Sequence, residues 1–511
     1  MGFGFYEIAK ERPDDVAVVD TERQRTWSSF DDRVNRIGRA LEAAGIERGD
    51  HIAMLMGNRV EFVEIAAAAL KAGLIVTPVN WHFREDEVRY VVENCDAKAF
   101  FVDDRLVETG APSADLPNIR LHLVTGDAYK SLIADASDEP LPVDAPPGGN
   151  MLYTSGTTGR PKGVARNVAP AGSTIEGLMN VLGLTGAPLG LQAGGAHLVT
   201  GPLYHAAPLG FSTISFNLGN PLVIMDKWTP EETLALMTRW AITDSHLVPT
   251  MFIRLLRLDD DVKSGFDRSA LKAIVHGAAP CPVWAKEQMI EWWGPVLVEY
   301  YGATEGGLTV IDSEDWLKHR GSVGKPLAVY TIEIRDDAGE ALGPNDTGTV
   351  YFRALGGPDT FTYYKDETKT AAAHIEPGVF TLGDVGHVDD EGYLWLTDRK
   401  TDLIISGGVN VYPAEVEQVL GQHPAVADVA VFGIPHDEFG EEVKAAVELL
   451  PGHEPSPALE GELIDWCRER LATYKCPRSV DFEADLPRHT TGKLYKRVLR
   501  DKYWDRESRF I

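Results

Sequence analysis

Apolar residues recur at three- and four-residue steps between Phe30 and Ala44, which predicts an amphipathic helix. Ser28 with Asp31 is the expected N-cap of that helix, and Gly45 is its expected end. The continuous apolar run HIAMLMGN follows and is typical of a buried strand. A second helix is predicted at about residues 60–72. The chain therefore begins with helices and strands in turn.

The same alternation continues along the chain. Strand-like runs follow as LIVTPVN and AFFVDD, and later as SHLVP, LKAIVHG and VLVEYYGATE, with a predicted helix at 282–293. Such alternation is typical of a parallel sheet covered by helices, so we predict an α/β fold class built of parallel-sheet αβ layers. Small ligands of such folds usually bind in the loops at the strand ends.

A change of pattern at residues 398–402 predicts a domain boundary. Before it, VYFRALGG and GYLWLTD are typical of short strands, which indicates a short β-rich subdomain. After it, about 110 residues form a compact α+β pattern. We predict a large N-terminal domain over 1–398, a hinge over 399–402 and a small C-terminal domain over 403–511. The segment 138–149, DEPLPVDAPPGG, is the nearest to a linker elsewhere.

Composition fits a soluble globular enzyme, but the charge is unusual. The 511 residues hold 49 Lys plus Arg against 77 Asp plus Glu, a formal charge of −28. That charge argues against broad binding of nucleic acid or an anionic membrane. Residues 468–502 are an exception, with ten basic and five acidic side chains. This region suits either a solvated face or an anionic ligand.

The four cysteines are scattered, with no C-x-x-C pair and no histidine at metal-ligand spacing. We therefore expect neither a disulfide framework nor a zinc site, and the usage favours a reducing cytoplasm. The most apolar stretch, at residues 62–79, is interrupted by Glu64 and Lys71. No signal peptide or membrane span is expected.

The strongest motif is YTSGTTGRPKG at 153–163. Its glycines allow backbone N–H groups to approach phosphate oxygens, its hydroxyls add donors, and its lysine adds positive charge. It is not a Walker A loop, because Gly163 follows Lys162 where a magnesium-binding Ser or Thr should stand. The residues expected to cradle phosphate are Thr154, Ser155, Gly156, Thr157, Thr158, Gly159 and Lys162.

Four further motifs follow in order. They are YGATEG at 301–306, TLGD at 381–384, DRKTDLIISGG at 398–408 and PRHTTGK at 487–493. Together with the 153–163 loop they resemble the motifs of the adenylate-forming superfamily: acyl-CoA synthetases, adenylation domains of peptide synthetases, and luciferases. The resemblance covers nearly the whole chain. It implies an AMP-forming acyl-CoA synthetase that uses ATP, Mg²⁺ and coenzyme A, with a mobile C-terminal domain.

The resemblance also assigns roles to nucleotide-binding residues. Asp384 can accept hydrogen bonds from both ribose hydroxyls, and Arg399 can add donors. Glu305, assisted by Thr154, is a hard oxygen ligand suited to Mg²⁺. The ring of Tyr301 suits adenine, and HGAAP at 276–280 resembles the segment that packs against it. The other implied ATP contacts are Gly277, Ala278, Ala279, Gly302 and Thr304.

Lys493 is the implied catalytic lysine. Adenylation joins a carboxylate to a triphosphate, and an ammonium near the bridging oxygen offsets the repulsion. The C-terminal domain is then expected to swing about the hinge for thioester formation. The family's pivot is usually Asp or Lys, and here it is Thr401. The implied coenzyme A contacts are Ser406, Gly407, Gly408 and Lys475, with Arg478 as a further basic side chain.

The acyl pocket is expected around PLYHAAPLG at 202–210. The amino-acid-activating relatives carry an Asp in this segment for the substrate's ammonium, and its absence argues against an amino acid. The expected acid is apolar: a fatty acid, or an alicyclic or steroid side-chain acid. His205 is the expected gate, although a core histidine is the alternative. The predicted pocket comprises His205, Ala206, Ala207, Gly210, Phe211, Tyr300 and Gly306, with Leu209 as a further apolar wall.

Alternative functions stay open at this point. A fatty-acyl-AMP ligase that delivers to a carrier protein is the nearest, and a luciferase-type oxygenase is another. From a different class, the chain could be a nucleotide-binding regulatory protein without catalysis. The retained Asp384, Arg399, Glu305 and Lys493 argue against that reading. A homodimer is compatible with the sequence.

Overall fold

The computed structural model of the chain describes residues 3–154, 161–166, 172–357, 360–399, 402–406, 409–436, 439–488 and 494–504. The first 135 of them alternate between strand and helix as the sequence predicts. Their elements are α1 (Phe5–Glu11), β1 (Val16–Val19), β2 (Gln24–Thr26), α2 (Trp27–Ala43), β3 (His51–Leu55), α3 (Val60–Ala72), β4 (Ile75–Val79), α4 (Glu85–Asn94), β5 (Ala99–Val102), α5 (Val107–Ala114), β6 (Leu121–Val124) and α6 (Asp127–Asp135).

The central part of the chain adds more strands and helices of the same kind. Its elements are β7 (Gly149–Thr154), β8 (Lys162–Arg166), α7 (Ile175–Gly186), β9 (His197–Val199), α8 (Ala206–Asn217), β10 (Leu222–Ile224), α9 (Pro230–Arg239), β11 (Asp244–Leu247), α10 (Pro249–Leu256), α11 (Asp260–Ser264), β12 (Ala273–His276), α12 (Val283–Trp293), β13 (Leu297–Ala303), β14 (Gly306–Asp312), α13 (Ser313–Trp316) and β15 (Lys325–Pro326).

The remaining elements are mostly strands, with four helices between or after them. They are β16 (Tyr330–Arg335), β17 (Gly348–Ala354), β18 (Phe361–Tyr363), α14 (Glu367–Ala373), β19 (His374–Glu376), β20 (Val379–Val388), β21 (Leu394–Arg399), β22 (Ile404–Ser406), β23 (Val409–Val411), α15 (Pro413–Leu420), β24 (Val426–His436), β25 (Gly440–Leu449), α16 (Pro457–Arg468), β26 (Ser479–Phe482) and α17 (Lys496–Arg500).

These strands form four sheets. Sheet A has the order β15-β14-β13-β12-β11-β9-β10-β1-β2, and sheet B the order β18-β8-β7-β4-β3-β5-β6. Sheet C joins β16, β17, β20, β19 and β21, and sheet D joins β22 to β26. In sheet A, the neighbouring strands β13, β12, β11, β9, β10 and β1 are parallel. In sheet B, the strands β7, β4, β3, β5 and β6 are parallel as well. The α/β prediction is therefore confirmed.

One apolar core joins sheets A and B. Val18 of sheet A and Ile52 of sheet B are fully buried in it, together with the apolar face of α2. Parallel strands with helices on their faces are buried on both sides, which is why the strand segments are almost continuously apolar. The outer edges of these sheets are left for antiparallel strands, and the site described below lies among them.

Helix α2 begins earlier than predicted. Its N-cap is Thr26, whose side chain accepts from the Ser29 backbone N–H at 3.2 Å, so the Ser28 and Asp31 N-cap prediction is wrong. Trp27 is 1% exposed in the core, and burying that ring draws the first turn back to it. The predicted end is confirmed, because the helix stops at Ala43 and Gly45 adopts a φ of 74°.

The segment 138–149 is a connection within the large α/β body. Arg39 donates to the backbone carbonyls of Glu139 and Pro140. Leu141 is 3% exposed, and its side chain would clash with a Cβ at Gly38 on α2. The segment then enters β7. Its proline-rich composition indicates an extended conformation here and no domain boundary.

Sheet D has its own apolar core, formed by residues between Ile404 and Val480. It contacts the large body at few places. One contact is the Arg257 guanidinium, which donates to the Ala427 carbonyl oxygen at 2.5 Å. No helix in the described part of the chain combines the length and apolarity that crossing a bilayer requires.

A buried ion pair supports the strand that leads into the candidate site. The Lys286 ammonium on α12 donates to Glu299 on β13 at 2.6 Å, with side-chain exposures of 0% and 8%. The same ammonium lies 4.5 Å from the centre of the Trp316 ring. Such a pair matters chiefly through the cost of losing one partner, because the other charge is then buried without compensation.

We expect Glu299→Gln to lower the free energy of unfolding by about 3–5 kcal/mol, since Lys286 would keep its charge without a counterion. The midpoint of urea denaturation measures this loss. The matched control is Glu287→Gln on α12, the helix that also carries Lys286. Glu287 pairs with Arg320 at side-chain exposures of 42% and 51%. An exposed pair contributes about 0–1 kcal/mol, and equal shifts for the two variants would contradict the argument.

Candidate active site

The hairpin of β13 and β14 connects sheet A to sheet C. The Tyr301 hydroxyl at the end of β13 donates to Asp384 Oδ2 on β20 at 2.6 Å. Asp384 is 7% exposed, and in the sheet register it lies opposite Arg399. A short hydrogen bond to a buried carboxylate holds that carboxylate in one orientation. Two residues predicted to bind adenosine are thereby brought together.

The turn of the same hairpin reaches sheet B. Glu305 lies in that turn, and its Oε1 accepts from the Tyr363 hydroxyl on β18 at 2.9 Å. Burial and the neighbouring Glu305 carboxylate raise the pKa of Tyr363 above its ordinary value, so the phenol stays protonated and donates. The second oxygen of Glu305 is left to other partners. This arrangement agrees with the predicted role of Glu305 as a metal ligand.

Lys162 lies beside this turn because β8 pairs with β18. Tyr363 is opposite Val164 in that pairing, and the Tyr364 backbone N–H donates to the Gly163 carbonyl at 2.8 Å. The Lys162 ammonium donates to Asp366 Oδ2 at 3.0 Å. Thr154 is opposite Lys162 across the β7–β8 hairpin. The cation and the hydroxyl predicted to meet phosphate therefore flank the same loop.

The segment after β12 has the strained backbone expected of a ligand-contacting turn. Ala278 has a φ of 68°, in the left-handed region that a side chain disfavours. A Cβ at Gly277 would lie 2.4 Å from the Tyr300 carbonyl oxygen. The turn therefore passes close to the end of β13, with Ala278 exposed and Ala279 partly exposed. This placement agrees with the predicted contact to adenine.

Several predicted residues lie outside the described part of the chain, and their assignments stay predictions. They are Ser155, Gly156, Thr157, Thr158, Gly159, Thr401, Gly407, Gly408 and Lys493. Arg399 is described by its backbone alone. Gly302 and Thr304 lie on the β13–β14 hairpin beside Tyr301 and Glu305. A Cβ at Gly302 would lie 2.2 Å from the Gly307 carbonyl oxygen, so this hairpin requires glycine there.

The acyl side of the site is built around the start of α8. His205 is the N-cap residue of that helix, and its ring centroid lies 4.2 Å from that of Tyr204. The buried Asn58 side chain holds the preceding loop, since it donates to the Gly201 carbonyl at 2.9 Å and accepts from the Leu203 N–H at 2.9 Å. The predicted gate residue is thus fixed on a well-anchored loop.

Phe211 and Tyr300 pack in one apolar cluster, to which Ala207 also contributes. Their ring centroids are 5.1 Å apart, and the Tyr300 hydroxyl lies 3.2 Å from His246 Nε2. Burial, with a smaller effect of His197, lowers the pKa of His246 to about 3. His246 is therefore neutral, and the wall holds one polar pair among apolar rings.

One residue named for the predicted pocket, Leu209, lies in a core. Leu209 is 6% exposed and belongs to the core between sheets A and B, so its prediction as a pocket wall is wrong. The nearest side chains to a Cβ at Gly306 would be those of Phe380 and Tyr330, on the side of sheet C. Gly306 in an acyl pocket stays a prediction. At Gly210, by contrast, a Cβ would meet no described atom within 4 Å.

The predicted coenzyme A contacts are only partly described. Ser406 ends β22 and is partly exposed. The Lys475 ammonium donates to both carboxylate oxygens of Glu415 at 2.7 and 2.8 Å, and this hydrogen bonding raises its pKa. A phosphate group would have to compete with Glu415 for Lys475. Arg478 stacks its guanidinium 4.4 Å from the Phe439 ring centre.

A cleft of about 740 Å³ opens between the large body and the C-terminal region. Its lining includes Trp81 and His82 close to the predicted acyl gate, Arg254 on α10, Arg257 directly after that helix, and Arg488. His82 Nδ1 lies 3.2 Å from the Tyr204 hydroxyl. The cleft is thus wide enough for a small organic group and leads towards His205.

Comparison with known proteins agrees with this geometry. The profile of the AMP-binding enzyme family matches residues 5–364, and that of the AMP-binding enzyme C-terminal domain matches residues 415–493. The chain belongs to the AMP-binding enzyme family. This places it in the adenylate-forming superfamily, as the motifs indicate, and at the coarse level it is an ATP-dependent acid–thiol ligase.

Relatives in this family differ in acid and acceptor. A fatty acid–acyl-carrier-protein ligase of Streptomyces coeruleorubidus is 31% identical over 98% of this chain and 96% of its own. A feruloyl-CoA synthase of an Amycolatopsis species is 32% identical over 98% and 99%. The ATP-bound structure of MatB from Rhodopseudomonas palustris is 27% identical, with a TM-score of 0.84 over 98% and 99%.

The structure adds residues that the motifs of the AMP-binding enzyme family did not single out. Asn58, Tyr363, Asp366 and His246 each hold a predicted site residue or its loop in place. Only Asn58 had a sequence signal, because it follows a buried strand at the edge where ligands bind. The others act through contacts between residues far apart in the chain.

We expect Tyr301→Phe to raise the KM for ATP about tenfold, because the ring stays while Asp384 loses a charge-assisted hydrogen bond. Acid-dependent pyrophosphate release at varied ATP measures the effect. Tyr351→Phe on β17 is the control, since the Tyr351 ring lies 6.0 Å from the Arg335 guanidinium and outside the site. An unchanged KM for ATP in Tyr301→Phe would contradict the role given to this bond.

Proposed function

We propose that this chain activates an apolar carboxylic acid as its acyl adenylate, with release of pyrophosphate, and transfers the acyl group to coenzyme A. The domain limits that go with this function are 1–398 for adenylation, 399–402 for the hinge and 403–511 for the mobile domain. The acid would be a fatty acid or a bulkier alicyclic acid.

One observation carries the adenylation step. A single hairpin positions two carboxylates at separate places, Asp384 through Tyr301 and Glu305 through Tyr363. The first is buried and suits a ribose diol. The second is held by Tyr363 on β18, the strand that pairs with β8 of Lys162, and suits the phosphate end. A nucleoside triphosphate has a ribose diol towards one end and phosphates at the other. The placement of these two carboxylates at the two ends of the β13–β14 hairpin contacts therefore supports ATP as the substrate that activates the acid.

The residues present fit a Mg²⁺ ion that arrives with the triphosphate. Glu305 offers one carboxylate oxygen, and Thr154 offers a hydroxyl at the edge of the phosphate loop. The described residues contain no group of three or more His, Cys, Asp or Glu side chains placed to hold a metal ion. Magnesium commonly binds through one or two protein oxygens plus phosphate and water, and it would neutralise charge on the phosphates.

The proposed reaction has two steps. A carboxylate oxygen of the acid attacks the α-phosphorus, and the bond to the bridging oxygen breaks with its electron pair leaving on pyrophosphate. Lys493 would stabilise the charge on that bridging oxygen. A thiol sulfur then attacks the acyl carbonyl carbon, and AMP leaves. His205 at the gate would lie between the acyl pocket and the incoming thiol.

The thiol is supplied by another molecule. All four cysteines of the chain are described, and burial raises the pKa of each: Cys95, Cys281, Cys467 and Cys476. A raised pKa leaves no thiolate to act as nucleophile at neutral pH. The basic residues Lys475 and Arg478 favour coenzyme A over a carrier protein as the acceptor. A carrier protein is the alternative acceptor, because one relative is a fatty acid–acyl-carrier-protein ligase.

The test is acid-dependent pyrophosphate release, measured across apolar acids of increasing size with and without coenzyme A. We expect release to require an apolar acid and to be accelerated by coenzyme A through removal of the adenylate. Release only with amino acids would overturn the acid class. Turnover with a holo carrier protein, which bears a free pantetheine thiol, but none with coenzyme A would overturn the acceptor.

We expect Gly210→Leu to reduce kcat/KM about tenfold for the bulkiest accepted acid and to leave the smallest unchanged. A leucine would occupy the open space beside α8, and filling a pocket excludes larger ligands. The variant should not lose stability, since glycine inside a helix costs about 0.5–1 kcal/mol relative to alanine. Gly210→Ala is the matched control, and equal losses across all acids would exclude this pocket location.

We expect Lys493→Ala to abolish pyrophosphate release, whereas supplied acyl adenylate is still converted to thioester. The lysine charge is needed only when pyrophosphate leaves. Stopped assays of the two half-reactions separate the outcomes. Loss of both half-reactions to the same extent would contradict a lysine dedicated to adenylation.

A further inference from the structure

Lys369 on helix α14 lies at the phosphate end of the candidate site. Its ammonium is 4.3 Å from the centre of the Tyr363 ring, within the range of a cation–π contact. The hydroxyl of that same ring donates to Glu305. Lys369 therefore contacts Tyr363, the residue that positions the proposed magnesium ligand Glu305.

A shared carboxylate brings Lys369 close to Lys162. Asp366 is the N-cap of α14, and its Oδ1 accepts from the Lys369 backbone N–H at 3.0 Å. Its Oδ2 accepts from the Lys162 ammonium at 3.0 Å. The Lys369 pKa lies below its ordinary value because of burial and of the nearby Lys162 charge. Two cations are thus held together at one end of the site.

The two ammonium groups of this cluster are unequally paired. Lys162 has Asp366 as its ion-pair partner, whereas Lys369 makes no ion pair with the residues that the structure describes. The Glu305 and Asp366 carboxylates act to raise the pKa of Lys369, but burial and the Lys162 charge lower it by more. Placing two ammonium groups side by side is unfavourable unless an anion compensates both. The chain has a large excess of acidic residues, so a shortage of carboxylates does not explain why Lys369 has no ion-pair partner among the described residues. A polyvalent anion is the natural occupant of such a place.

We propose that Lys369 is a second phosphate-binding cation, which contacts the β- and γ-phosphates of ATP and the pyrophosphate formed from them. The proposal deepens the proposed function and rests on it. When the α-phosphorus loses its bond to the bridging oxygen, the electron pair passes to pyrophosphate, and Lys369 and Lys162 together would stabilise that leaving group.

The test compares the binding of ATP and AMP, with Mg²⁺ present, to the full-length protein by titration calorimetry. We expect Lys369→Met to weaken ATP about tenfold while AMP changes less than about twofold, because AMP lacks the two phosphates. Lys369→Arg should retain most of the ATP affinity, since its charge is kept. No acid is needed, so the test is independent of the unknown substrate.

Lys365→Met is the matched control. Lys365 lies on the same segment but points to Asp96, at 2.8 Å, and to the Asn94 carbonyl, so ATP affinity should be unchanged. Equal weakening of ATP and AMP by Lys369→Met would show a structural role and overturn the proposal. Unchanged ATP affinity would overturn it as well. Failure of the unmodified protein to bind ATP at all would instead overturn the proposed function.

Discussion

The site depends on the β13–β14 hairpin and its two tyrosine–carboxylate hydrogen bonds. Tyr301 on the hairpin reaches sheet C through Asp384, and Glu305 at its turn is reached from sheet B by Tyr363. Sheet C and the two sheets A and B, which share a core, therefore meet at one short element. Each carboxylate is already oriented before a ligand arrives, so binding requires less reorganisation of the protein. A nucleotide can then be held at both ends without movement of the large body.

The charge distribution has to serve both solubility and catalysis. A chain of formal charge −28 repels a triphosphate at long range, yet its phosphate end gathers Lys162 and Lys369 around Asp366. The buried Lys286–Glu299 pair, whose Glu299 lies on β13, contributes no net charge. The described charges at this end are the Lys162 and Lys369 ammonium groups and the Asp366 and Glu305 carboxylates. They act at contact distance, where an opposing long-range field counts for less.

The acyl side follows a different principle, because shape and desolvation dominate there. Phe211 and Tyr300 form a wall, and the neutral His246 satisfies the Tyr300 hydroxyl. A buried hydroxyl without a partner would cost free energy, so this pair allows a tyrosine to line an apolar region. Open space at Gly210 on α8 then lies beside apolar side chains. These surroundings support the apolar acid proposed above.

The sequence by itself determined the α/β class, the order of the strands and helices, and the family, because periodicity and short motifs are local properties. Helix α3 has the limits predicted for it, whereas the start of α2 was misplaced because burial of Trp27 is a tertiary effect. Only the tertiary structure decided that Leu209 faces a core and not a pocket, and that Tyr363 and Lys369 join Glu305. The Tyr363–Glu305 hydrogen bond joins residues 58 positions apart, and local spacing carries no information about such a contact.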